Sequence, residues 1–227
     1  MACFLHIETA TGICSVALSK NGNLITVESR NEGYKHAENI LVLVEKIKET
    51  AGIDLSEIDA VVVSAGPGSY TGLRIGMSTA KGICYALNKK LIVVDTLEII
   101  AAGYLRCNPE FTGLILPMLD ARRMEVYAAL FDESGSRLME NAPVILDGNS
   151  FSDLRNKRVA IIGDGAAKFS EIAQAESWTF EPSFLWDAQD SINMANEAFE
   201  KEQFADLAYA EPNYLKPFYT TAKPVQV

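Results

Sequence analysis

Thirteen residues, Ser64-Ala65-Gly66-Pro67-Gly68-Ser69-Tyr70-Thr71-Gly72-Leu73-Arg74-Ile75-Gly76, constrain the fold more than any other stretch of the chain. They follow Ile58 to Ser64, whose Val61-Val62-Val63 centre reads as a strand buried on both faces, and they open a helix. Strand, glycine turn and helix in that order belong to α/β architecture, and backbone amides near Ser69 at the helix start can face an anion. A P-loop is excluded, because its lysine must follow the glycines directly and the next lysine here is Lys81. Gly68, Gly72, Gly76 and Ala80 recur every four residues, which draws a strip without side chains along one helix face. Glycine inside a helix costs about 1 kcal/mol relative to alanine, so close packing must compensate. Either another part of the same chain fills the strip, or a helix from a second chain does.

The rest of the chain extends this α/β reading. Phe4 to Glu8, Ile13 to Ser19 and Leu24 to Ser29 alternate as strands, with Asn21-Gly22 as a hairpin turn between the last two. A helix from about Lys35 to Ala51 repeats Ile40, Leu43, Val44 and Ile47 at three- and four-residue spacing and stops at Gly52. Leu41 and Val42 widen its apolar arc beyond the single stripe of a surface helix. After Leu91 to Asp95 and a helix from about Leu97, the order partly recurs. Leu114 to Leu119, Glu125 to Phe131 and Arg137 to Glu140 read as strands, followed by a helix around Phe151 to Asn156. Val159 to Ile162 is the next strand, and helices near Ala166 to Ala175 and Ser191 to Phe204 close the series. Three antiparallel strands followed by alternating helices and strands, given twice, predict two ribonuclease-H-like lobes, 1–108 and 109–227, with a cleft between them; a single mixed sheet is the alternative.

Composition narrows the function. With 48% hydrophobic and 22% charged residues the chain should fold as a globular protein. Apolar runs such as Ile40 to Val44 are far shorter than the roughly twenty residues of a membrane span. The N-terminus opens directly into a strand without a leader pattern, which predicts a cytoplasmic protein. A net charge of −10 disfavours unaided binding to a polyanion. Cys3, Cys14, Cys84 and Cys107 lack metal spacing and read as reduced structural thiols.

Candidates for chemistry are sparse. Glu8 and Thr9 end the first strand and Asp120 ends another, so two carboxylates can face each other across a cleft. Gly163-Asp164-Gly165 is a strand-to-helix turn that either touches a nucleotide or only turns the chain. Arg122 and Arg123 are either ion-paired surface residues or anion contacts. His6 reads as a hydrogen-bonded core residue and His36, alone at a helix start, as structural. Nothing assembles a nucleophile, a base and an orienting group.

Gly66 to Gly76 with Ala80-Lys81-Gly82 closely resembles the signature of the TsaB family, also called YeaZ. His6-Ile7-Glu8-Thr9-Ala10, Leu119-Asp120-Ala121-Arg122-Arg123-Met124-Glu125-Val126-Tyr127 and Pro212-Asn213-Tyr214-Leu215-Lys216 look like that family as well. The resemblance implies the actin-like ATPase fold, built of two ribonuclease-H-like lobes. It implies an accessory subunit that works with its paralogue TsaD, as a heterodimer, and with the ATPase TsaE. Together they transfer a threonylcarbamoyl group to the adenosine beside the anticodon of tRNA, and this chain would meet tRNA only indirectly. The metal-binding helix of TsaD carries two histidines where this chain offers His36 alone, and Glu8 stands where relatives commonly have Asp. Both departures imply a non-catalytic partner without a metal or cofactor of its own, with a nucleotide possible at the shared interface. Pairing in that family uses the first two helices of each subunit. The partner surface expected here is therefore Ile40, Leu41, Leu43, Val44, Ile47, Gly72, Gly76, Met77 and Ala80, and exposed helix faces leave a homodimer open when the partner is absent, through this surface or another. Glu8, Thr9, Gly68, Ser69, Asp120, Gly163 and Gly165 are expected as a vestigial nucleotide site. The rival reading is an autonomous ATP-dependent phosphotransferase or ATPase, with Glu8 and Asp120 around a metal.

Overall fold

A computed structural model describes residues 2–33 and 35–216 of the chain. The first half forms strands β1 (Cys3–Glu8), β2 (Cys14–Lys20) and β3 (Asn23–Arg30), helix α1 (His36–Ala51), strand β4 (Ala60–Ser64), helix α2 (Tyr70–Leu87), strand β5 (Lys90–Val94) and helix α3 (Thr96–Cys107). Its sheet has the order β3-β2-β1-β4-β5. β1 runs antiparallel to β2 and parallel to β4, and β4 runs parallel to β5. Asn21 and Gly22 both take positive φ in the β2–β3 turn, the conformation for which an Asn-Gly pair is suited.

The second half repeats this plan with β6 (Leu114–Asp120), β7 (Glu125–Phe131), β8 (Arg137–Ile145), β9 (Val159–Ile162), helix α4 (Ala166–Ser170), β10 (Trp178–Glu181) and helix α5 (Ile192–Glu200). Its sheet order, β10-β9-β6-β7-β8, is the first sheet's order with the corresponding strands in the same sequence. β6 pairs antiparallel with β7 and parallel with β9, as β1 does with β2 and β4. This is the predicted duplication, though the repeat has shrunk. The helix expected around Phe151 to Asn156 is a single 3-10 turn, Ser152–Leu154. The helix expected to Ala175 stops at Ser170, where the carbonyl of Phe169 takes the amides of both Ile172 and Ala173. Strand β8 runs on through Pro143, which it accommodates because an edge strand need not donate at every position.

Strand periodicity sorts the core into three layers. On β1, Cys3, Leu5 and Ile7 face α1 and α2, while Phe4 faces the middle of the molecule; on β4, Val61 and Val63 take the outer side and Ala60 and Val62 the inner. On β6 and β9, Ile115, Leu119, Ala160 and Ile162 join the middle layer, and Leu116, Met118, Val159 and Ile161 turn outward beneath α4. The middle layer therefore draws on both sheets together with Leu97, Ile100 and Tyr104 of α3, Trp186, and Ala195 of α5.

After α5 the chain returns to the first sheet as a strap. The amide of Ala205 donates to Leu91 O (2.9 Å), and Lys81 Nζ on α2 donates to Ala208 O (3.1 Å) and Ala210 O (3.0 Å). The Asn213 amide donates to Ala65 O (2.6 Å), the Tyr214 ring lies 4.8 Å from that of Tyr70, and Lys216 pairs with Glu125 on β7. No helix among the described residues is long and apolar enough to cross a membrane.

Candidate functional site

The end of β1 is where an actin-like ATPase would begin to hold phosphates, and here it is occupied by the chain itself. Glu8 is fully buried. Its Oε1 accepts from the Ala10 amide (2.6 Å) and the Ser64 hydroxyl (3.0 Å), whereas Oε2 has no hydrogen-bond partner among the described residues. Burial pushes this carboxyl up to about 7, and the charge of Asp190 adds to the shift. Thr9 Oγ1 donates to Gly72 O (2.9 Å), Ala10 O accepts from the Ser69 amide (2.6 Å), and Thr11 O pairs with His36 Nε2 (2.7 Å).

The glycine strip explains this grip. A Cβ at Gly68 would sit 2.5 Å from Ala10 O, one at Gly72 would collide with Thr9 O and meet the His36 ring at 3.2 Å, and one at Gly76 would collide with Thr9 Oγ1. The strip is filled from within the chain, by Thr9, Ala10 and the His36 ring. The anion cradle expected at the start of α2 is likewise spent: Ser69 N serves Ala10 O, and Gly72 N donates to the capping hydroxyl of Ser69 (3.2 Å).

Asp120, Gly163 and Gly165 form a second, separate knot at the end of β6. Asp120 Oδ1 accepts from the Arg122 amide (2.5 Å) and pairs with Lys168 (3.0 Å), and the Asp120 amide donates to Asp164 Oδ1 (2.8 Å). A Cβ at Gly163 would come within 2.5 Å of Met118 O, and the Gly165 amide donates to that same carbonyl (3.1 Å). The carboxylate that bears electrostatically on Glu8 is Asp190, not Asp120.

His6 is the polar centre of the inner face of the first sheet. Its Nδ1 lies 2.7 Å from Ser191 Oγ and its Nε2 2.7 Å from Ser19 Oγ. Ser191 Oγ already donates to Ala188 O (2.8 Å), so His6 Nδ1 carries the proton and Nε2 accepts from Ser19. Burial holds the ring neutral, lowering its pKa to about 3. Ser15 Oγ accepts the Ala188 amide (2.8 Å), so the Ala188–Ser191 turn is sewn to β1 and β2.

The α1–α2 surface differs from the one expected. Ile40, Leu43, Val44 and Ile47 are buried against β1 and β2, and Met77 and Ala80 join them in the same core. With Gly72 and Gly76 filled by Thr9, eight of the nine expected contact residues lie inside the chain, and Leu41 alone is open. What faces outward is the next position around each helix. Leu41 is 57% and Val42 48% exposed, and Ala37, Ile40 and Leu41 line a shallow groove opposite Arg74, Ile75, Ser78 and Thr79 of α2. The sequence signal for this face was the Leu41-Val42 pair, which breaks the three-four spacing of the buried stripe. Ile75 and Thr79 stand one position before Gly76 and Ala80 and could have been found by the same shift.

The family model TsaD, tRNA N6-adenosine threonylcarbamoyltransferase, matches residues 30–218. The tRNA threonylcarbamoyladenosine biosynthesis protein TsaB of Escherichia coli K12 is 31% identical over 221 residues, covering 93% of this chain and 94% of that protein. The chain belongs to the TsaB family. YeaZ from Pseudomonas aeruginosa superposes with a TM-score of 0.83 at 26% identity, covering 95% of this chain and all of that one. An activator of 2-hydroxyisocaproyl-CoA dehydratase from Clostridium difficile, solved with bound ADPNP, aligns at a TM-score of 0.51 and 11% identity, which marks the shared actin-like ATPase fold alone. Within the TsaB family fold, the loops at Glu8, Gly68 and Gly163 are those closed by their own backbone here.

Proposed function

We propose that this chain acts in the cytoplasm as an accessory subunit of tRNA threonylcarbamoyladenosine biosynthesis, supporting a TsaD-family transferase without performing the transfer itself. The names of its TsaB relatives support the pathway, and the TsaD family model supports kinship with the transferase. The observation that carries the subunit reading is the contrast between the two regions. The phosphate-type loops are occupied by Ala10 O and the Ser69 hydroxyl, while the α1–α2 face leaves Leu41 and Val42 exposed beside a groove lined by a half-buried Ile75. A helix pair from the TsaD paralogue, laid across that groove, would bury these side chains as a helix-in-groove contact. A homodimer through the same face would serve when the paralogue is scarce, with TsaE joining the assembled pair. The autonomous ATPase reading is not favoured, since it needs amides and carboxylates free to meet phosphate and metal.

The test is light scattering on the chain mixed with the TsaD paralogue of its own organism, for the unaltered chain and for Leu41→Asp, alongside measurement of modified tRNA in cells carrying each. The proposal expects a one-to-one complex and modified tRNA, both lost in the variant. ATP turnover by the isolated chain, with no complex formed by the unaltered pair, would refute it.

A further inference from the structure

The β6–β7 turn carries two arginines that neither fold nor core requires. Arg122 and Arg123 both adopt positive φ, 70° and 51°. That region strains residues with a Cβ and is normally given to Gly, Asn or Asp. The same chain does so in its β2–β3 turn, where Asn21 and Gly22 take φ of 53° and 77°. Glycine or asparagine would relieve the β6–β7 turn, yet arginine occupies both positions, so the guanidinium groups are held out against a backbone preference.

The turn is also braced. The Arg122 amide donates to Asp120 Oδ1 (2.5 Å), and the Glu125 amide donates to Arg122 O (3.2 Å). Lys168 from α4 donates to Arg123 O (2.7 Å) and Glu125 O (3.0 Å) while pairing with Asp120. Lys216 of the strap pairs with Glu125. Both acids at the base of the turn are thus compensated by lysines. Asp164 accepts the Asp120 amide, and burial pushes its carboxyl up. Both arginine side chains are exposed, and neither guanidinium has a hydrogen bond or ion pair among the described residues. Counting Arg122, Arg123, Lys168 and Lys216 against Asp120, Glu125 and Asp164, this tip is net positive on a chain of charge −10.

We infer that the Arg122–Arg123 turn contacts backbone phosphates of the RNA on which the assembly works. The inference rests on the function proposed above and deepens it, replacing the indirect meeting with tRNA that the family resemblance implies by a direct contact. Guanidinium groups bind phosphate oxygens in a planar, two-pronged geometry, and a protruding turn meets a chain of phosphates better than it encloses a small anion. Neither the α1–α2 groove nor its lining residues include the turn, so one chain presents a protein-facing helix pair and a separate phosphate-facing hairpin.

The experiment uses the chain assembled with its TsaD-family partner and measures affinity for unmodified tRNA across a salt series, with Arg122→Asn/Arg123→Gly as the variant. Asn and Gly tolerate positive φ, so the turn survives while both guanidinium groups go. The expected result is a complex of unchanged mass and undiminished melting temperature, with roughly tenfold weaker tRNA binding at moderate salt. The slope of log affinity against log salt falls by roughly 1.5, as for two lost phosphate contacts. A variant that binds tRNA with unaltered affinity and slope would overturn the inference while leaving the proposed function standing. A variant that loses its protein partner in the absence of RNA would also overturn it, assigning the arginines to a protein contact. Failure of the unaltered chain to assemble or to bind tRNA with its partner would remove the functional reading and this inference together.

Discussion

Replacing Gly72 with alanine adds one methyl group to α2 and tests whether the glycine strip belongs to this chain's interior. The added carbon would lie well inside the 3.0 Å below which real Cβ contacts essentially never fall, and what it meets is the backbone oxygen of Thr9 rather than a side-chain end that could swing away. The His36 ring, 3.2 Å away on the other side and tied to Thr11 O, blocks the alternative shift. Overpacking of this kind costs about 1–3 kcal/mol. Moving α2 off the loop also strains the buried bond from Thr9 Oγ1 to Gly72 O, worth about 1 kcal/mol. Better helix propensity returns about 1 kcal/mol. The net expectation is a loss of about 1–3 kcal/mol, or roughly 3–10 °C in melting temperature for a chain this size. Gly82 is the internal control: it lies on the same helix, is exposed, and has no atom within 4 Å of an added Cβ. Gly82→Ala should stabilise by up to about 1 kcal/mol. Urea unfolding of the isolated chain measures both. Equal stabilisation by the two substitutions would refute the reasoning, because it would show that the space beside Gly72 is not filled by Thr9.

Leu41→Asp should leave the stability of the isolated chain within about 0.5 kcal/mol while abolishing partner binding, whereas Leu43→Asp, which puts a charge into the core, should prevent folding; circular dichroism and light scattering separate the two. Glu8 has a folded pKa of about 7, above its unfolded value, so its contribution is fully present below about pH 4.5 and is lost as pH rises through 7. Glu8→Gln, a mimic of the protonated carboxyl, should therefore stabilise the protein at pH 8 by up to about 3 kcal/mol and have little effect at pH 4.5; the same gain at both pH values in denaturant titrations would contradict this. His6 acts in the opposite sense: its folded pKa of about 3 lies below the unfolded value, so stability falls as pH drops below about 6.5, and His6→Ala should flatten that limb while costing about 2–4 kcal/mol at neutral pH through the cavity it leaves and the unpaired Ser19 hydroxyl.

The duplicated sheet plan was legible because strands announce themselves through local pattern, as in Val61-Val62-Val63 and the Asn21-Gly22 turn. The shortening of the helices in the second half was not, since Phe151, Leu154 and Ile172 carry the apolar spacing of a helix yet are packed against the core by single turns. Strand β10 went unnoticed because Trp178-Thr179-Phe180-Glu181 is short and gains its strand character from pairing with β9. At the site, the four-residue glycine spacing correctly signalled a close approach, but periodicity does not say who approaches. The answer, Thr9 and Ala10, depends on the end of β1 and α2 meeting across more than sixty positions of sequence. The same blindness turned the apolar stripe of α1 outward in expectation, when the exposed pair was Leu41 and Val42 beside it.

The strap has a consequence for how the protein is made. Among the described residues, Ala65 O, Leu91 O and the Lys81 ammonium take partners from residues 205–213, and His6 Nδ1 and the Ser15 hydroxyl take partners from residues 188–191. When α3 has just left the ribosome, all five strands of the first sheet exist, yet its inner face still lacks the turn that satisfies His6. The remaining stretch to Asn213 takes roughly 5–20 s to synthesise at ordinary elongation rates. Throughout that interval the first sheet offers a β5 edge without Ala205 and an apolar face without the Ala188–Ser191 turn, the kind of surface that invites wrong pairing, and a product truncated after α5 would lack the strap contacts altogether.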